Sequence, residues 1–211
     1  TRKESSAASD VYKRQDLYRP YKPKRRTRAT IAKEKGLEPL AGVITLQMIK
    51  TPLIEEAAKY VDAEKGVTTA EEAIAGASDI IAESISDEAD YRTHIRDLTV
   101  KKGRMTSTAK DPETESVYEM YYDFDEPVAK LAGHRILAVN RGEKEKFLTV
   151  KIEAPQEDIL RYLEKKVIVR DNPQTNEVLR DVVRDAYDRL IAPAIEREIR
   201  SNPVSYTHLR A

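Results

Sequence analysis

Between residues 176 and 200, apolar side chains recur as adjacent pairs every fourth position: Val178/Leu179, Val182/Val183, Ala186/Tyr187, Leu190/Ile191 and Ala194/Ile195. A strand would require alternation with period two, so this stripe predicts one long amphipathic helix with a single buried face. Pro193 falls inside it and is expected to kink it, because proline removes one backbone hydrogen bond and crowds the carbonyl of Arg189. The stripe is also where exposed apolar surface is expected, if the helix packs on domains outside this segment.

The rest of the chain is punctuated as shorter helices. Thr27 is a candidate cap for a turn running to Lys35, and Gly36 supplies a left-handed stop. Leu37, Leu40, Ile44 and Met48 mark an amphipathic helix over about 38–49, and Thr51-Pro52 opens another that runs to about Ala63. After a turn at Gly66, Thr69 and Glu72 have the spacing of a capping box. Ala73, Ala77, Ile80, Ile81 and Ile85 then form the inward face of the next helix. Ser86 is read as the cap of a further helix with Ala89, Ile95 and Leu98 inward, stopping before Gly103. The sequence 98–111 suits a short strand or loop. Asp125-Glu126-Pro127 reads as a helix start, and a helix over about 133–141 is expected to end at Gly142. In Phe147–Glu153, Leu148, Val150 and Ile152 alternate with Thr149, Lys151 and Glu153, the clearest strand in the chain. Pro155 opens a helix with Ile159, Leu163 and Val167 inward. The expected fold is mainly α, a multi-helix elongated scaffold with a small β element at about Phe147–Glu153 and a subdivision near 104–116.

Several function classes are excluded or disfavoured. There is no Cys among the 211 residues, which rules out disulfides, thiolate metal sites and a Cys nucleophile. No apolar run approaches the roughly 18–20 residues of a membrane span. With no signal-like segment, a cytoplasmic, non-membrane protein is expected. No serine elbow, P-loop or dinucleotide fingerprint occurs. His94 and His134 stand alone on predicted helices, so no metal or cofactor is expected. Asp123, Asp125 and Glu126 could hold a magnesium ion, but acidic residues ahead of a helix commonly serve its dipole, as do Glu55/Glu56 and Glu71/Glu72. Four aromatics crowd VYEMYYDF (117–124), which reads as a hydrophobic hinge in preference to a base-stacking surface. No enzymatic role is expected.

Charge points elsewhere. The chain balances 37 basic against 37 acidic residues, but 16–35 holds eight basic and two acidic ones. Within it, YRPYKPKRRTR (18–28) combines Arg19, Lys22, Lys24, Arg25, Arg26 and Arg28 with Tyr18 and Tyr21, stiffened by Pro20 and Pro23. Dense cations on a non-helical backbone suit tracking of phosphates, and the tyrosines suit stacking on unpaired bases. These eight residues are the candidate nucleic-acid contacts, with RNA or DNA as partner through backbone contacts. The alternative is an interaction scaffold in which the arm packs on acidic neighbours in the same protein or on RNA polymerase.

Both ends lack a pattern of either period. SSAASDVYKRQ and VSYTHLRA resemble translated sequencing-adapter read-through at the ends of metagenome-derived reading frames. Residues 1–15 and 203–211 are therefore expected to be non-native or disordered tails flanking a helical region at 16–202, with 32 basic and 35 acidic residues remaining.

DLYRPYKPKRRTRATIAKEKGLEPLA (16–41) resembles the Tex family of bacterial transcription accessory proteins, relatives of the eukaryotic elongation factor Spt-six. The resemblance continues in order through EEAIAGASDIIAESISD (71–87), YDFDEP (122–127), HRILAVNRGE (134–143) and LIAPAIEREIR (190–200). It implies a large, mostly helical nucleic-acid-binding protein with an RNase H-like YqgF domain, helix-hairpin-helix motifs and a C-terminal OB-fold. The chain is expected to be the helical part upstream of the YqgF domain, with the arm an auxiliary contact.

Overall fold

A computed structural model describes residues 11, 13–22 and 25–201. Of the expected tails at 1–15 and 203–211, residues 1–10, 12 and 203–211 lie outside the described residues, as do Pro23, Lys24 and Asn202, whereas residues 13–15 are helical. The fold is mainly α with a small antiparallel sheet of three strands. It divides into two compact units: one of residues 11–17, Arg92–Ile159 and 192–201, the other of Tyr18–Tyr91 and Leu160–Ile191. The stretch 104–116 lies inside the first of these.

Among the described residues the second unit is helical apart from an isolated antiparallel bridge between Asp62 and Val67. It contains α1 (Arg28–Glu34), α2 (Glu38–Leu46), α3 (Leu53–Ala58) and α4 (Ala70–Asp87). α4 is its centre, packed by α1, α2, α3 and the later helix α8 (Asn176–Asp185). All five inward positions expected for α4 are buried, joined by Ala82. Each large aliphatic side chain removed from water contributes about 1.5–3 kcal/mol. The small residues let helices approach: a Cβ added at Gly76 would lie 2.3 Å from Leu37 Cδ1. Gly36 and Gly66 adopt the left-handed conformation expected of turn glycines.

Three boundaries around α2, α3 and α4 differ from the sequence expectation. α2 stops at Leu46 because Gln47 takes the left-handed conformation, its buried side chain bonding Val167 O and Arg170 N. α3 ends at Ala58, well before Ala63, where Asp62 caps a separate short turn. Ser86 does not cap a new helix; it lies inside α4, donating to Glu83 O, and the chain breaks at extended Glu88 before α5 (Ala89–Lys102).

The other unit is built on the sheet. β1 (Arg104–Ala109) lies between β2 (Asp123–Pro127) and β3 (Leu148–Glu153), antiparallel to both. Met105 and Ser107 of β1, with Leu148 and Val150 of β3, point into the core. The strand expected at Phe147–Glu153 is present. Asp125-Glu126-Pro127, by contrast, does not begin a helix, because its backbone is taken up by pairing with β1. Gly142 does not end α6 (Gly133–Lys144) either; a Cβ there would lie 2.6 Å from Leu148 Cδ1, so glycine admits the strand to the helix.

α7 (Gln156–Val167) buries Ile159 and Leu163, as its spacing predicts. In the long terminal stripe, α8 passes through a π-helical segment, Ala186–Ile191, into α9 (Ala192–Ser201). The irregularity thus precedes Pro193, where the Arg189 carbonyl has no N–H at the fourth residue onward to accept from. The apolar stripe is not exposed: Leu179, Val182, Val183, Ala186, Tyr187, Ile191, Ala194 and Ile195 are all buried. Burial pushes the Tyr187 phenol up to about 12.

Candidate nucleic-acid interface

Pro20 ends the helical stretch 13–18 in a tight turn, Arg19–Tyr21, after which Lys22 is extended. The chain returns to helix at Thr27, whose hydroxyl accepts from Thr30 N at 3.1 Å while Thr30 Oγ1 accepts from Thr27 N at 2.8 Å. The described part of the arm is thus a 3₁₀ turn at Arg19–Tyr21, extended Lys22, and irregular backbone at Arg25 and Arg26, with a capping box anchoring its exit.

Its side chains divide. Arg19 turns inward, donating from Nε to Asp87 Oδ1 at 3.1 Å. Arg26 donates to Glu34 at 3.0 Å, but both side chains are about two-thirds exposed. Such a pair contributes ~0–1 kcal/mol. Lys22, Arg25 and Arg28 are exposed and make no ion pair with a described residue. Tyr18 is 60% exposed and Tyr21 79%, so both rings offer a free face. Lys24 lies outside the described residues.

The wall beside the arm carries the opposite charge. Pro20 and Lys22 border a cleft of about 590 Å³ whose far side includes Glu83, Asp87 and Glu88 of the α4 end. Arg28 also acts at longer range on Asp79. Burial raises the Asp79 carboxyl above the usual range, opposed by Arg189 and then by Arg28. The solvent-facing set can thus hold phosphate oxygens, while Arg19 fastens the turn to the protein's own acidic surface.

The other sequence candidates are distributed. His94 and His134 are exposed on α5 and α6. Tyr118 and Tyr121 are buried: the Tyr118 ring lies 5.7 Å from Phe147 and its hydroxyl donates to Glu145 at 2.8 Å, while Tyr121 packs at 5.4 Å on Phe124. Asp125 pairs with Arg104 at 2.6 Å and Glu126 with Arg135 at 2.9 Å.

The largest ionic feature was not anticipated from sequence. Arg92 and Arg96, one turn apart on α5, share two carboxylates: Asp16 at 2.8 and 2.7 Å, and Glu198 of α9 at 2.9 and 2.8 Å. The Arg92 side chain is completely buried, and its Nη1 has no hydrogen-bond partner among the described residues. Burial works against the Arg96 charge, but hydrogen bonds and charge from Glu198 and Asp16 prevail and raise its pKa. The signal was two arginines at i, i+4 beside Ile95: like charges repel there unless a partner reaches them.

Known proteins match this chain over most of its length. The family model described as Tex central region-like matches residues 50–205. The uncharacterized protein YdcI of Bacillus subtilis is 52% identical over 88% of this chain and 26% of its own length. Transcriptional accessory protein Tex of Neisseria gonorrhoeae is 33% identical over 93% of the chain and 27% of its own length. A human S1 RNA-binding domain-containing protein 1 is 26% identical over 88% and 20%, respectively. The chain thus spans about a quarter of the length of the first two relatives. With the model covering well over half of it, the chain belongs to the Tex family, as part of its central region.

Proposed function

We propose that this segment serves a Tex-type transcription accessory protein as a non-catalytic helical scaffold with an auxiliary nucleic-acid contact, in a cytoplasmic setting. Lys22, Arg25, Arg26 and Arg28, with Lys24 beside them in sequence, neutralise phosphates, and Tyr21 and Tyr18 stack on unpaired bases. Arg19 is assigned to holding the turn against Asp87. The observation that carries the reading is the exposure of Tyr21 together with three cations that have no carboxylate partner among the described residues. The names of the relatives, one a transcriptional accessory protein and one an S1 RNA-binding domain protein, support the setting.

Contacts to phosphate should be sequence-tolerant and sensitive to salt. On single strands, log K falls with log salt by about 0.7 per phosphate neutralised. Replacing Arg25, Arg26 and Arg28 with Ala is expected to shallow the slope by about 2 units on single-stranded RNA. If the wild-type chain binds and the triple variant keeps both slope and affinity, the arm is not the contact.

A second reading rests on the Arg19–Asp87 pair and the acidic wall of the cleft. There the arm is a protein-facing element, on another part of the same protein or on RNA polymerase, and touches no nucleic acid. Salt-insensitive or absent RNA binding by the wild-type chain favours it.

A further inference from the structure

In the helical unit, the loop that follows α2 and the loop that follows α7 are tied together. Gln47, buried and left-handed, donates to Val167 O at 2.8 Å and accepts from Arg170 N at 3.1 Å. Asn172 completes the seam by donating to Ile49 O at 2.9 Å. Three buried or half-buried polar bonds hold two loops more than 100 residues apart in sequence in one fixed arrangement.

The side chains beside that seam are apolar and in water. Leu46 and Met48, flanking Gln47, are 63% and 61% exposed, and Val169, between the two groups Gln47 bonds, is 69% exposed. Scattered single apolar side chains on a surface are ordinary, but three at one stitched pair of loops, Leu46 at the helix end and Met48 and Val169 beyond, are not scattered. Within a few residues of them along the chain are Lys50, Lys165, Lys166 and Arg170, all exposed and none paired with a carboxylate among the described residues. Lys166 stands 5.9 Å from the Tyr162 ring instead. Asp171 is the one acidic residue within the two loops, and it accepts from Asn176 Nδ2 at 2.7 Å.

We propose that this platform docks an acidic amphipathic helix of a separate protein, aliphatic side chains covering Leu46, Met48 and Val169 and flanking carboxylates meeting Lys50, Lys166 and Arg170. Charge complementarity selects the occupant. A cationic rim around an aliphatic centre matches a helix with an apolar stripe bordered by Glu or Asp. Nucleic acid would satisfy the rim but leave the aliphatic centre wet, and the centre offers no aromatic ring for a base to stack on. The site is independent of the basic arm, and neither needs the other.

The test uses three fluorescent probes: a Leu/Glu amphipathic helix of about five turns, its Leu/Lys counterpart, and poly(dT). Anisotropy titration should show the Leu/Glu peptide bound and the Leu/Lys peptide not. Combined Leu46→Ser, Met48→Ser and Val169→Ser should weaken the Leu/Glu peptide by about tenfold or more. Combined Lys50→Glu, Lys166→Glu and Arg170→Glu should exchange the preference, so that the Leu/Lys peptide binds. This exchange also decides the matter if the serine variant fails to fold, since loss of fold cannot create a new preference. The proposal is overturned if both variants bind the Leu/Glu peptide like wild type. It is equally overturned if poly(dT) competes for the site and is lost in the serine variant, or if those substitutions abolish a self-associated form in sedimentation.

Discussion

Two arginine-bearing regions use the same side chain in opposite ways. At the Arg92/Arg96 cluster the guanidinium groups are out of water and share Asp16 and Glu198, so their geometry is set by partners on two other chain segments. In the arm, Arg25 and Arg28 are in water, and Arg26 holds only an exposed partner. Taking an ion out of water costs several kcal/mol unless attraction and hydrogen bonds offset it, so the buried cluster is costly to break but adds modestly when whole. The exposed cations cost the fold almost nothing and stay available to another molecule. Composition alone ranks the arm as the more notable stretch. Burial ties the cluster to folding, while the arm keeps its cations in water, as the proposed contact requires.

Removing one member of the cluster should give the largest effect. Glu198→Ala leaves two buried guanidinium groups sharing Asp16, and is expected to destabilise the protein by about 3–5 kcal/mol in chemical denaturation. A loss below about 1 kcal/mol would mean that water reaches the cluster and that the two regions differ less than their burial suggests. Packing without charge provides the next comparison. Gly142→Ala drives a methyl against Leu148 and should cost about 1–3 kcal/mol, measured the same way. Thr27→Ala, at the exit of the arm, removes the α1 cap and should cost about 1 kcal/mol. The triple substitution of Arg25, Arg26 and Arg28 by Ala should change stability by less than about 0.5 kcal/mol while altering RNA binding. If it unfolds the protein, the arm belongs with the cluster as structure.

A smaller, pH-dependent difference sits between these extremes at Asp79. Burial raises its folded carboxyl pKa above the unfolded value, so the folded state holds the proton more tightly. Its contribution to stability is therefore fullest below the unfolded pKa and is lost as pH rises through the folded one. The stability of wild type relative to Asp79→Asn should fall across that acidic window. Urea midpoints at a series of pH values measure it, and a difference that stays flat would place Asp79 in solvent.

What was legible in the sequence was local. Thr27, Gly36, Gly66 and Thr69 act within a turn of their own position, and each does what its residue type predicts. The inward face of α4 and the strand at Leu148–Glu153 follow from periodicity, which reports burial directly. β2 was misread because Asp-Glu-Pro has the composition of a helix start, whereas pairing with β1 decides its backbone. Gly142 was misread as a stop because its missing side chain serves a neighbour, Leu148. The capping box at Thr69 is half right: Thr69 accepts from Glu72 N, but the Glu72 carboxylate turns back to Thr68. The Arg92/Arg96 cluster joins residues 76 to 106 positions apart, and no window of sequence brings them together. In the arm, the basic composition was plain, yet which guanidinium turns inward depends on where Asp87 ends up in space.

The order β2–β1–β3 leaves two outer strands, and the way each is finished bears on how the protein behaves when crowded. β2 presents Asp123 and Asp125 to solvent and ends at Pro127, which has no N–H to give a visiting strand. Along β3, Glu143 turns its carboxylate onto the amide of Val150 at 3.4 Å. Negative charge, a missing donor and an occupied donor are three obstacles to edge-to-edge growth. A sheet this small could otherwise recruit copies of itself into a ribbon; finished in this way, it favours remaining three strands wide even at high protein concentration.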